Sequence, residues 1–105
     1  MGTVLQGAVT RMLRELYGKG PERVDCEALQ QTVIITCRGI LTPVERSLIE
    51  GPGGKLTVAT IRDAVRIREN ELLKEYLEQN DLKLKGIFRS VGDNPDETRY
   101  ILALE

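Results

Sequence analysis

GILTPVERSLIEGPGGKLTVATIRDAVR, residues 39–66, decides how the chain is organised. Gly39 ends the extended segment before it, and Thr42-Pro43-Val44-Glu45 carries the residues of a helix capping box. In such a box the Thr42 hydroxyl takes the third backbone amide while the Glu45 carboxylate reaches back to the cap amide. Pro43 suits the first helical position, where its missing N–H would have no partner anyway. A short helix over about 43–50 follows. Gly51-Pro52-Gly53-Gly54 breaks it, and a longer helix runs over about 55–79.

The flanks supply the sheet. Towards the N-terminus, Leu5, Ala8, Val9, Met12, Leu13, Leu16 and Tyr17 recur at three- and four-residue spacing, which predicts an amphipathic helix over 3–17. Gly18 stands where a C-terminal cap belongs, and Pro21 forbids continuation. Val24, Cys26 and Ala28 alternate with charged residues, and Val33, Ile35 and Cys37 share one face of a second strand, with the turn at 29–31. That register puts the two cysteines on one face, directly opposed or diagonal.

Towards the C-terminus, residues 82–91 form a strand, GDNPDE a turn and residues 98–105 the last strand, with Tyr100, Leu102 and Leu104 on one face. Gly86 marks a bulge or a close backbone approach. In the long helix the buried stripe reads Val58, Ile61, Val65, Leu72, Leu73 and Tyr76, with Arg62 and Glu69 at its border and Leu56 and Ile67 facing away. The expected fold is a two-layer α+β sandwich of order α-β-β-α-α-β-β, one domain over 1–105. The long helix crosses a four-stranded sheet.

Composition narrows the function. The 105 residues carry a net charge of −1, so no global field draws in nucleic acid or anionic membrane. Histidine is absent, which removes the usual general base and zinc ligand. Cys26 and Cys37 lack metal-ligand spacing, and no cofactor or metal is expected. Apolar runs fall far short of the roughly 20 residues that span a bilayer, and no signal pattern opens the chain. A cytoplasmic protein without enzymatic activity is expected.

The glycine-rich connection invites two site readings. GPGGK fails as a P-loop, because Ile49 stands where a glycine is needed and Leu56 where a Ser or Thr is needed. A GXXG loop between two helices also clamps nucleic-acid backbones in KH modules, and the element order here is similar to the type II KH arrangement. Pro52 removes an amide and Glu50 repels phosphate, so nucleic-acid binding through Gly51–Lys55 is the alternative reading rather than the first. The candidate contacts for a partner or an anion are Gly51, Gly53, Gly54, Lys55, Arg62 and Arg66. Arg62 can either anchor a buried ion pair or receive an anionic partner.

GKGP, GILTPVE, Gly54-Lys55, Ile61-Arg62 and the closing hairpin together resemble the MpsC family, over about residues 5–104. Its sharpest element is Gly39, Thr42, Pro43 and Glu45. Family members usually carry a polar, acidic run where Gly51-Pro52-Gly53 stands here. The resemblance implies a small bacterial accessory protein of a membrane cation-translocating, membrane-potential-generating system. It would act through protein contacts, with membrane transporter subunits as partners, and supplies no catalytic residues. A homodimer is expected, because so small a sheet leaves a face or an edge to cover.

Overall fold

A computed structural model describes residues 2–90 and 92–105, with the elements in the expected order. Helix α1 spans Gly2–Tyr17, strand β1 Arg23–Leu29, β2 Thr32–Arg38, helix α2 Pro43–Ile49, α3 Gly54–Glu78, β3 Leu84–Ser90 and β4 Glu97–Leu104. Val91, the expected last residue of the third strand, lies outside the described residues. The strands form one antiparallel sheet ordered β1-β2-β4-β3. Both hairpins pair neighbours in sequence, and the two middle strands come from different hairpins. The register shifts between Leu84 and Gly86, the irregularity expected at that glycine.

Alternation decides which sheet face is covered. Val33, Ile35 and Cys37 of β2 and Tyr100, Leu102 and Leu104 of β4 point to one side. There they meet Leu5, Ala8, Val9, Met12 and Leu13 of α1 and Leu72, Leu73, Tyr76 and Leu77 of α3 in a single core cluster. Cys26 pairs with Ile35 and Cys37 with Val24, so the cysteines are diagonal neighbours on this face, and both are free thiols. Among the described residues no helix covers the opposite side of the sheet. On that side Ile34, Ile101 and Phe88 stand in one cross-strand row.

The stripe of α3 differs from the one expected. Ile61 is exposed and Val65 half-buried, while Arg62 and Glu69 lie inside the stripe, at 8% and 1% exposure. The buried line runs Gly54, Val58, Arg62, Glu69, Leu72, Leu73, Tyr76 and Leu77. Hydrophobicity alone favoured Ile61 over its neighbour. Arg62 wins the inward position because the neighbouring elements hold partners for its charge.

Candidate functional site

The site begins at the capping box. Thr42 caps α2 with extended backbone, its hydroxyl accepts from the Glu45 amide at 3.3 Å, and the Thr42 amide donates to Glu45 Oε1 at 2.9 Å. The same carboxylate is gripped from the other side. Arg62 Nε donates to Oε2 at 2.7 Å and Nη2 to Oε1 at 2.6 Å, and Nη2 also reaches the Ile40 carbonyl at 2.9 Å. The Tyr17 ring, from the end of α1, lies against the guanidinium with its centroid 3.7 Å away. One arginine therefore ties α1, α2, α3 and the β2–α2 connection together.

A second buried carboxylate stands two turns further along α3. Glu69 accepts hydrogen bonds from the Tyr17 and Tyr100 hydroxyls, the latter at 2.9 Å. Arg89 of β3 comes within 3.6 Å of Glu69, donates to the Arg62 carbonyl at 3.1 Å and faces Asp63 at 3.5 Å. Buried charges persist only where partners replace water, and here each carboxylate has several.

These contacts set the acid–base behaviour. Burial works to raise the Glu45 carboxyl, but hydrogen bonds from Arg62 and the Thr42 backbone outweigh it and hold the group below its ordinary range. Burial likewise opposes the Arg62 charge, and Glu45 more than offsets it. Tyr17 and Tyr100 are pushed upward, first by burial and then by Glu69. Burial, with Glu69 nearby, pushes the Cys37 thiol up to about 12, so it is no nucleophile at neutral pH.

Lys19 joins the GKGP and GILTPVE segments. Its ammonium donates to the Gly39 carbonyl at 2.7 Å and to the Leu41 carbonyl at 3.2 Å. Asp96 holds the same segment from the other side, its carbonyl taking the Gly39 amide and its carboxylate the Leu41 amide, each at 2.9 Å. Gly39 has φ of 68°, and a Cβ there would lie 2.5 Å from the Glu22 carboxylate. Only glycine fits.

The glycines before α3 have equally physical reasons. Gly53 caps α3 in the left-handed region, and a Cβ on Gly54 would sit 1.5 Å from the Leu48 carbonyl oxygen. That contact lets the end of α2 press against the start of α3. Of the candidate residues, Lys55 and Arg62 are brought together along one cavity, whereas Arg66 is exposed and lies 4.0 Å from Asp63.

The cavity measures about 300 Å³ and opens between α3 and the β3–β4 end of the sheet. Arg62, Glu69, Arg89, Thr98 and Tyr100 line its buried part, with Lys55 and Leu56 at the rim. Sequence reasoning passed over Tyr17, Lys19, Glu69, Arg89, Thr98 and Tyr100 as site residues. The available signal was Glu69, a charge recurring seven positions after Arg62 on a stripe that is otherwise apolar. Among the described residues no group of three or more Cys, Asp or Glu side chains is placed to hold a metal ion.

Fold and site together define an α+β protein whose helices are pinned to the sheet by a buried network of carboxylates, arginines and tyrosines. The family model MpsC, described as Na+-translocating membrane potential-generating system (MpsC), matches residues 1–102, and the chain belongs to that family. Comparison with curated proteins and with solved structures returned no match to either. No helix among the described residues is long and apolar enough to cross a membrane.

Proposed function

We propose that the protein is a non-enzymatic accessory component that docks, through the open face of its sheet, onto a subunit of the cation-translocating membrane system for which its family is named. The observation that carries this reading is the composition of that face. Phe88 and Leu29 are 63% and 58% exposed, and Phe88 continues across the sheet into Ile101 and Ile34. Along one edge of this apolar centre, charged residues pair with one another, while Glu27 stands opposite Ile34 at the end of the row. Arg38 pairs with Asp25 at 2.7 Å and with Glu97 at 3.5 Å, and Arg99 pairs with Glu97 at 3.6 Å. An apolar centre bordered by polar residues is the anatomy of a protein interface.

The test is a crosslinked pull-down in mild detergent from the native host, comparing the wild-type chain with Phe88→Glu/Ile101→Glu. Retention of membrane transporter subunits by the wild type alone is the expected outcome. Equal retention by the variant moves docking off this face, and recovery of RNA or ribosomal components instead overturns the reading. Light scattering on both proteins separates a further outcome. A wild-type dimer that the double variant breaks would assign the face to a second copy of the chain.

A further inference from the structure

We propose that the cavity between α3 and the β3–β4 end of the sheet is a binding site for a small organic carboxylate with an apolar body. This goes beyond the docking reading and does not rest on it, since the cavity lies on the helix side of the sheet and docking uses the other side.

The argument starts from Thr98. It sits on β4 opposite Cys37, points to the helix side and is 6% exposed, and its hydroxyl has no hydrogen-bond partner among the described residues. Buried hydroxyls are nearly always paired, so an orphan hydroxyl on a residue of the cavity wall is a group that a bound molecule can satisfy. Arg62 and Arg89 line the same cavity with hydrogen-bond donors, and Lys55 stands at its rim. The cavity wall thus carries donor groups from Thr98, Arg62 and Arg89, with the Lys55 ammonium at the rim.

The charges select a monoanion. Glu69 is occupied by Tyr17, Tyr100 and Arg89, and Glu97 pairs with Arg38 and Arg99 on the other side of the sheet. Arg62 and Arg89 are themselves matched by Glu45, Asp63 and Glu69. Lys55 has no carboxylate within ion-pair distance among the described residues. Asp93, also at the cavity, is exposed. One added negative charge is balanced by Lys55, whereas a doubly charged phosphate would be left in excess in a low-dielectric site. Ile40, Leu56, Ala59 and Pro95 supply apolar wall, and a volume of about 300 Å³ is at the small end of ligand pockets. Leu56 is 73% exposed at the rim, a cost that contact with an apolar ligand body removes.

The experiment is a two-dimensional amide NMR titration of the full chain with benzoate and with hexanoate, set against benzamide and hexanol. Saturable shifts centred on Ala59, Arg62, Thr98 and Tyr100 are expected from the acids, with the neutral analogues weaker. Thr98→Val keeps the volume and removes the hydroxyl. It should weaken acid binding on the order of tenfold, while its melting temperature stays level or rises because the orphan group is gone. Ala59→Leu narrows the mouth from an exposed helix position and serves as a second blocking variant. No saturable shift from either acid overturns the proposal. So do shifts that both variants leave unchanged, or neutral analogues that bind as well as the acids.

Discussion

Arg62 and Glu45 meet as a two-point ion pair in which the carboxylate that caps α2 is also the counter-charge of α3. Side-chain exposures of 10% and 6% keep the pair from solvent. Two roles rest on one carboxylate, and a single substitution separates them. Glutamine at position 45 can still reach back to the Thr42 amide, since Gln serves in capping boxes. It cannot neutralise Arg62. Glu45→Gln should therefore cost about 3–5 kcal/mol, the range for leaving one buried charge uncompensated. Glu45→Gln/Arg62→Met should recover part of that loss in urea unfolding at pH 7. A cost near that of a lost cap, about 1 kcal/mol, would mean that the pair adds nothing beyond the cap.

The same pair fixes the acid limb of stability. Glu45 is held below its ordinary value of 4.5, despite burial, by Arg62 and the Thr42 backbone. A depressed carboxylate contributes stability that is complete above its unfolded-state value and is lost as pH falls through the folded-state value. The wild type should lose stability below about pH 4.5, and its advantage over Arg62→Met should shrink across that range. Unfolding free energies at pH 7, 5, 4 and 3 check this, and a constant gap between the two proteins would contradict it.

Cys37 and the two network tyrosines govern the alkaline limb. Burial pushes the Cys37 thiol from 9.0 up to about 12, so the folded protein keeps it neutral while the unfolded chain ionises. That contribution is complete below pH 9 and is lost progressively from about 9 to about 12. Tyr17 and Tyr100 act in the same direction from 10.0 upward. Cys37→Val should flatten the decline in stability between pH 9 and 10. A thiol reagent at pH 8 should label the half-buried Cys26 faster than Cys37, which should react only on unfolding. Fast labelling of both would show that Cys37 is not held inside.

Much of this architecture was legible in residues 39–66 and their flanks. Capping boxes, glycine stops and strand alternation are local rules, and Thr42, Pro43, Gly86 and the Tyr100–Leu104 face follow them. The site was less legible, because the partners of Arg62 are dispersed through the chain. Tyr17 ends α1, Glu45 lies in α2 and Ile40 in a connection, and only the packing of α1 and α3 on one sheet face brings them together. Hydrophobic periodicity counts Ile61 as core and leaves Arg62 at its border. It fails there because a paired arginine can occupy a buried position that a lone one cannot. Lys19 escaped notice for a related reason, since GKGP reads fully as a helix stop and the carbonyls that it binds lie beyond an entire hairpin.

The adjacent glycines of the α2–α3 connection give a sharp comparison. Gly53 has φ of 72° and open space around a notional Cβ, so alanine there meets only backbone strain. Gly53→Ala should cost about 1–2 kcal/mol, and Gly53→Asn less, because asparagine tolerates the left-handed region. Gly54 is the reverse case. Its backbone is helical, but a Cβ would lie 1.5 Å from Leu48 O and 2.9 Å from Ile49 Cα, and neither backbone atom can rotate aside. Gly54→Ala must push α2 from α3, which loosens the Glu45–Arg62 pair as well, and should cost more than about 4 kcal/mol, among the severe single substitutions. Chemical unfolding of the three variants measures the order. Equal, mild effects at both positions would detach Gly54 from packing and return the connection to the nucleic-acid reading, where both glycines serve a bound phosphate. That reading would then require salt-dependent RNA binding lost in both alanine variants.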